Sequence, residues 1–413
     1  MLLPTAHEVV RSNTTHFPYR PNSDFYYLTG YPEPDSWALL KKEGKDAGFH
    51  MFVLPRDRER ETWTGIRYGT EGAQARFGAD HAHELKKLEK RLGKLLEDVD
   101  VLYFAFGRHP ERERKLHRIL ASCRTARRAT LGPATMRDPA EILAPMRLVK
   151  SEEELAVMRE GVRITHEAHV EAMKQVRPGM HEYEIQALVE YVFRRRGAWG
   201  WAYPSIVAAG ANACILHYVR NDGAFEDGQL MLIDAGAEVD CYATDVTRTT
   251  PVGKKYEGAA REVYAAVLAV QKKAVAAVKP GGSIEDIHHD VLRDLTQVMI
   301  DLGALKGDVE ELIGEKEHEK YYPHRTSHWL GADVHDVGRY RAREGHPVPF
   351  APGQVLTVEP GLYFPPDDED LPKGLRGVAV RIEDDVLVTK GGHEVLTATI
   401  PKAMDDVEAL RGG

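Results

Sequence analysis

Apolar residues recur along this chain with two periods. Trp37 to Leu40, Met51 to Leu54 and Val101 to Phe104 are short apolar runs of strand length, whereas Leu85, Leu88, Leu92 and Leu95 keep the spacing of one helix face. Lys86, Lys90 and Arg91, interleaved with those leucines, make the solvated side of that helix. A change of regime falls near Arg147 to Ser151. There Ser151, followed three residues later by Glu154, forms a capping box opening a helix with Leu155, Met158 and Val162 on one face. This predicts two domains, residues 1–150 and 151–413, the first a small α/β domain without chemistry of its own.

The second part repeats itself. Val176-Arg-Pro-Gly with Ile185 matches Val278-Lys-Pro-Gly with Ile287, each between two predicted helices. Gly228-Gln-Leu-Met-Leu-Ile-Asp234-Ala-Gly236 resembles Gly353-Gln-Val-Leu-Thr-Val-Glu359-Pro-Gly361. A duplicated unit of helices and a strand ending in a carboxylate, folded about a pseudo-twofold axis, brings Asp234 and Glu359 to related places in one cleft.

These carboxylates stand where strands enter a core. Asp234 closes Leu230 to Ile233 and Glu359 closes Val355 to Val358; Asp245, in Tyr-Ala-Thr-Asp-Val-Thr-Arg, and Glu383, in Val-Ala-Val-Arg-Ile-Glu, show strand-like alternation. A buried unpaired carboxylate costs several kcal/mol or more, so four together require cations. Arg381 shares a strand face with Glu383 and is either its salt-bridge partner or a group holding a metal-binding carboxylate in place. Histidines cluster in His324-Arg-Thr-Ser-His328-Trp-Leu-Gly-Ala-Asp-Val-His335. The His324 to His328 spacing is that of the two-histidine helical zinc motif, but Arg325 stands where that motif needs glutamate, so the zinc reading fails. His217, in Ile-Leu-His-Tyr, is expected at a strand end. One histidine with four carboxylates is an oxygen-rich donor set that favours Mn²⁺ over a thiolate zinc site. Five donors are too many for one catalytic ion with an open position, and two ions sharing carboxylates fit better.

Composition narrows the classes. A formal charge of −9 without a long basic block argues against nucleic acid and anionic lipid as partners. No run of about 20 apolar residues offers a membrane span, and the first 24 residues lack the apolar region of a signal peptide. Three cysteines, at 123, 214 and 241, without paired spacing argue for a reducing compartment, and the expectation is cytoplasm.

The motifs Ile-Asp234-Ala-Gly, Thr-Asp245-Val-Thr-Arg, Ser-His328-Trp-Leu-Gly, Val-Glu359-Pro-Gly and Arg381-Ile-Glu383 resemble, in order and ligand type, those of the pita-bread metallopeptidases. That family includes methionine aminopeptidase, prolidase and aminopeptidase P. Arg20-Pro-Asn-Ser-Asp-Phe-Tyr-Tyr-Leu-Thr-Gly30 is similar to the segment opening the creatinase-like N-terminal domain, so the resemblance covers nearly the whole chain. It implies an α/β (α+β) chain with that domain ahead of a pseudo-twofold pita-bread catalytic domain. It further implies that Asp234, Asp245 and Glu383 hold one metal and Asp245, His328, Glu359 and Glu383 the other, two divalent ions of the Mn²⁺ type. Glu359 is then also the general base, His217 and His335 act at the scissile bond, His324 and His335 flank the substrate proline, and Arg381 supports a ligand. Trp63 resembles a family tryptophan that reaches a neighbouring subunit's cleft, which implies a homo-oligomer, dimer or tetramer. Arg325 departs from the pattern, because relatives often carry glycine there.

Methionine aminopeptidases usually lack the first domain and creatinase lacks the full ligand set. The motifs around His328 and Asp24 look more like aminopeptidase P, which removes the first residue from peptides with proline second. The alternatives are prolidase, which cleaves Xaa-Pro dipeptides, and a metal-free binding module, whose mark is loss of the ligands.

Overall fold

The computed structural model describes residues 1–97, 99–125 and 132–412. It divides into two compact units, Met1–Met146 and Arg147–Gly413.

The first unit is built on a four-stranded sheet with strand order Leu2–Pro4, Trp37–Glu43, Asp46–Val53, His81–Glu84. The first two pairings are antiparallel and the last is parallel. Successive side chains in a strand face opposite ways, and here both faces are buried. Leu2, Trp37, Leu39 and Phe52 pack with Leu88, Leu92 and Leu116 on one side. Leu3, Ala38, Met51 and Val53 pack with Phe25, Tyr31 and Ala73 on the other. The leucine repeat forms a 3-10 turn, Leu85–Lys87, running into the helix Leu88–Leu95, with Leu88 and Leu92 fully buried.

In the second unit Ser151 and Glu154 make the capping box in both directions, opening the helix Glu152–Gln175. An N-cap of this kind contributes about 1 kcal/mol. This helix and Glu182–Arg195 are joined through Val176-Arg-Pro-Gly, as Gly258–Ala277 and Ile284–Asp301 are joined through Val278-Lys-Pro-Gly. Proline cannot continue a helix and Gly179 and Gly281 adopt positive φ, so both segments reverse the chain. Each helix pair packs on a three-stranded antiparallel sheet. Ile164, Ala168 and Val189 meet Val207, Met231 and Ile233 over the sheet Ile206–Ala209, Leu230–Asp234, Thr247–Pro251. Val263, Val267, Val291 and Leu295 meet Leu356, Val358 and Val386 over the sheet Val355–Val358, Asp384–Thr389, Gly392–Val395.

The carboxylates sit where these ladders break. Leu230–Asp234 pairs with Thr247–Pro251, and beyond it Ala237–Val239 pairs with Tyr242–Ala243, so Asp234 ends one strand and Asp245 falls in the gap opposite. A Cβ on Gly236 would lie 1.6 Å from the Thr244 carbonyl oxygen, so the close crossing at this gap requires glycine. In the second half Val355–Val358 pairs with Asp384–Thr389 and Gly361–Tyr363 with Ala379–Arg381. Glu359 and Glu383 occupy the break between them, where Pro360 has no N–H to extend the ladder. Two expectations are thereby corrected: Asp245 and Glu383 lie at strand junctions rather than within strands. His217 is corrected likewise. It lies in the loop after the 3-10 turn Gly210–Cys214, not at a strand end.

Candidate metal centre

The strand breaks turn four carboxylates toward one place. One ligand atom from each of Asp245, His328 and Glu383 falls in a group no wider than 4.8 Å. His328 Nε2 is 3.4 Å from Asp245 Oδ2 and 3.5 Å from Glu359 Oε1. The other ring nitrogen, Nδ1, donates to the Trp329 carbonyl at 3.0 Å, which leaves the Nε2 lone pair aimed at the carboxylates. His328 comes from an irregular segment, Pro323 to Gly338, anchored beside Val355–Val358 by the Trp329 and Leu356 bridge and by the Thr357 N–H bond to the His328 carbonyl.

Further groups fix each carboxylate. Asp234 accepts from Tyr203 Oη at 2.6 Å and from Arg381 Nη2 at 2.6 Å. Glu383 accepts from Thr247 Oγ1 at 2.7 Å, and that hydroxyl is itself held by Arg381 Nε at 3.0 Å. The Asp245 backbone N–H donates to Asp385 Oδ2 at 3.2 Å. Thr357 Oγ1 lies 3.3 Å from Glu359 Oε1. Arg381 thus contacts Asp234 directly and reaches Glu383 only through Thr247.

Electrostatics tests whether the set fits a metal. Burial raises the Glu359 carboxyl, and with Asp245 and Asp234 nearby it rises to about 7 despite His328 and Arg381. Glu383 is driven well above the carboxylate range by burial and by Asp245, Glu359 and Asp234. Burial also raises Asp234, partly offset by Arg381. For His328, burial pulls downward, but Asp245 and Glu359 outweigh it and lift the imidazole to about 9. Each group reaches for positive charge that Arg381 alone cannot supply. Hard oxygen donors and one imidazole in this state fit divalent cations.

The centre opens into a cleft of about 770 Å³, lined in part by Asp234, Glu359, His217, His324, His328 and His335, within the range for ligand sites. His335 crosses His328 edge to face at a 4.4 Å ring separation. Burial and the neighbouring His328 lower His335. His324 is lowered to about 3 by burial and by Arg381, so it is neutral. Its Nδ1 donates to the Arg325 carbonyl at 2.9 Å, so its Nε2 accepts from Tyr363 Oη at 2.8 Å, and Tyr363 in turn accepts from Arg381 Nη1 at 2.9 Å. One relay of hydrogen bonds therefore ties Asp234 to His324.

Two loops are pinned from below. Glu182, fully buried, accepts from Ala209 N, Asn212 Nδ2, Tyr218 Oη and Gly223 N, closing the loop that carries His217. Asp336, next to His335, is held by Lys150 and Arg147. Trp63, 85% exposed, lies on the helix Arg58–Thr64 of the first unit. Tyr203, Tyr363, Thr247, Asp385 and Glu182 were not singled out from sequence. Tyr363 had a signal in its position four residues after Glu359, Thr247 in the motif that carries Asp245 and Asp385 in its place two residues after Glu383; Tyr203 and Glu182 had none.

Comparison with known proteins shows the family. Residues 156–390 match the model of metallopeptidase family M24, and residues 1–103 match the aminopeptidase P N-terminal domain. The chain is 42% identical over 411 residues to a Xaa-Pro aminopeptidase of Escherichia coli K12, covering 99% of this chain and 92% of that protein. A solved Pseudomonas aeruginosa aminopeptidase, PepP, superposes with a TM-score of 0.96 at 43% identity, covering 100% of this chain and 93% of that one. Zinc-substituted E. coli aminopeptidase P in complex with product superposes with a TM-score of 0.96 at 42% identity, covering 99% and 93%. The chain belongs to metallopeptidase family M24, with an aminopeptidase P type N-terminal domain ahead of the catalytic domain.

Proposed function

We propose that this protein is a Xaa-Pro aminopeptidase, releasing the first residue from peptides whose second residue is proline. The observation that carries the reading is the set Asp234, Asp245, His328, Glu359 and Glu383, of which Asp245 and Glu383 are buried and the other three line a peptide-sized cleft, in a chain so similar to Xaa-Pro aminopeptidases. These five residues would hold two divalent cations, and the oxygen-rich donor set favours Mn²⁺. When bound, such a pair polarises the scissile carbonyl and makes water acidic enough to attack it near neutral pH.

The chain's own residues supply the rest. Glu359, which lines the cleft beside the other donors, would take a proton from the attacking water and return it to the departing proline nitrogen. His217 and His335, on opposite loops of the cleft, donate hydrogen bonds to the oxygen that gains charge as the carbonyl becomes tetrahedral. Proline offers no amide N–H and has a fixed φ, so recognition rests on shape. Neutral His324, held by Tyr363 and the Arg325 carbonyl, presents its ring as one wall for the pyrrolidine, with His335 as another.

The free thiols of Cys123, Cys214 and Cys241 support a cytoplasmic setting. Exposed Trp63 and Ile66, at 85% and 80%, support a homo-oligomer, dimer or tetramer, that covers them. One observation favours the prolidase reading instead. Arg325 and Arg341 line the same cleft and could receive a dipeptide's carboxylate.

The test is a panel of Xaa-Pro dipeptides, Xaa-Pro-Yaa peptides and Met-Ala peptides assayed with Mn²⁺. Xaa-Pro-Yaa peptides should be the best substrates. A tenfold higher kcat/KM on the dipeptide, about 1.4 kcal/mol of transition-state preference, would assign the chain to prolidase chemistry.

A further inference from the structure

Glu285, in the first turn of the helix Ile284–Asp301, lines the cleft although it takes no part in the metal centre. Its carboxylate is fully engaged by two guanidiniums. Arg325 Nη2 donates to Oε1 at 2.5 Å and Arg341 Nη2 donates to Oε2 at 3.0 Å. The three side chains come from separate segments, and both arginines line the cleft while remaining half exposed, at 53% and 55%. Arg341 also donates from Nη1 to the Gly345 carbonyl at 3.1 Å. The Arg325 guanidinium has no other hydrogen bond among the described residues, so its Nε and Nη1 donors are not used by the protein.

The trio carries a net charge of +1 and is preorganised. Glu285 sets the position of each guanidinium, so less side-chain entropy is lost when an anion binds. Two long cations held by one carboxylate at the edge of a peptide cleft are suited to a second carboxylate, which accepts paired N–H groups from a guanidinium fork. The same positive rim repels the ammonium group that begins every substrate. It therefore faces the carboxyl-terminal half of the peptide. Arg325 directly follows His324, the proposed wall for the proline ring, which puts the rim on the leaving-group side of the scissile bond.

We infer that Arg325 and Arg341, clamped by Glu285, form a subsite for a carboxylate borne by a residue beyond the proline. This rests on the Xaa-Pro aminopeptidase reading and deepens it. The carboxylate has two sources, the C-terminus of a short Xaa-Pro-Yaa peptide or an acidic side chain further along a longer one.

The experiment measures kcat/KM for an Xaa-Pro-Ala acid, its C-terminal amide, the matched Xaa-Pro-Glu and Xaa-Pro-Gln amides, and the Xaa-Pro dipeptide. Each is assayed with the wild type, Arg325→Gln, Arg325→Lys and Arg341→Gln. The wild type should prefer the tripeptide acid to its amide by about tenfold, the scale of one charge-assisted hydrogen bond. The ratio should fall toward one in Arg325→Gln and recover partly in Arg325→Lys. Because each ratio is internal to one preparation, loss of active enzyme through misfolding cancels. A matching preference for the Glu over the Gln amide assigns side-chain carboxylates to the subsite as well; its absence confines the subsite to C-termini. An acid-to-amide ratio near one in the wild type, or one unchanged in both arginine-to-glutamine variants, overturns the inference while leaving the proposed activity standing. An arginine-dependent preference for the dipeptide overturns it too, because the carboxylate is then the proline's own. If the wild type cleaves none of the proline peptides, the activity itself fails and the subsite with it.

Discussion

Replacing Asp336 by asparagine should destabilise the catalytic unit more than any single surface change, and the structure sets the scale. Asp336 Oδ2 lies 3.1 Å from Lys150 Nζ and Oδ1 lies 2.5 Å from Arg147 Nη2. The aspartate and lysine side chains are 0% exposed and the arginine 3%. Arg147 has a second, half-solvated partner in Asp333 at 2.7 Å, whereas the Lys150 ammonium has no other hydrogen bond among the described residues. Burial lowers the Lys150 ammonium, and Asp336 is the main group opposing that shift, with Glu154 adding to it. Asp336→Asn therefore strands a buried cation, a change that costs about 3–5 kcal/mol. For a unit of this size, roughly 2–4 °C of Tm per kcal/mol converts this to a fall of about 6–20 °C. Lys150→Met removes the costly cation and leaves Asp336 with Arg147, so it should cost less, about 1–3 kcal/mol. The double variant should be more stable than Asp336→Asn alone. Thermal unfolding of the metal-free proteins measures all three. Activity adds a second readout. Asp336 adjoins His335, so loosening its carboxylate contacts to Lys150 and Arg147 should lower kcat through His335. A loss below about 1 kcal/mol for Asp336→Asn, or an equal loss for Lys150→Met, would refute the reasoning.

Five other outcomes follow from the site. Chelation should abolish hydrolysis and Mn²⁺ restore it, and full activity in metal-free protein would contradict the two-cation centre. In the metal-free protein, Glu359 (raised from 4.5 to about 7) and His328 (raised from 6.5 to about 9) both bind protons more tightly folded than unfolded. Their contribution is complete below the unfolded values and lost as pH rises through the folded ones, so metal-free Tm should fall from about pH 5 to 9, with added Mn²⁺ reversing the trend; a flat or rising profile would count against it. Glu359→Gln should keep the protein folded yet lower kcat by about 10²–10⁴-fold, and more than a tenth of wild-type kcat would exclude it as the base. His217→Ala and His335→Ala should reduce kcat far more than Tm, the reverse identifying them as structural. Gly236→Ala, whose Cβ would sit 1.6 Å from the Thr244 oxygen, should cost at least about 4 kcal/mol, and a near-native melt would show the crossing to be looser than described.

Much of this molecule was legible in one dimension because the relevant physics is local. The Ser151 and Glu154 capping box needs only residues three apart. The leucines at 85, 88, 92 and 95 and the twin Pro-Gly segments declare helices and their ends by spacing alone. The acids closing Leu230 to Ile233 and Val355 to Val358 were conspicuous because an apolar run makes a charge at its end expensive. From these the fold class, the ligand types and the family resemblance could all be reached. Tertiary structure alone decided the rest. Asp245 and Glu383 read as strand residues, since alternation continues through them; only the change of pairing partner at Gly236 and Pro360 makes them junctions. His217 read as a strand end because Ile215 and Leu216 precede it, yet Ile215 is 54% exposed and the loop is closed by Glu182. Tyr203 to Asp234 spans 31 residues, Arg325 to Glu285 spans 40 and Arg381 to Asp234 spans 147. Periodicity records which side of an element faces the core, but not which distant side chain waits there, and that pairing exists only once the chain has closed on itself.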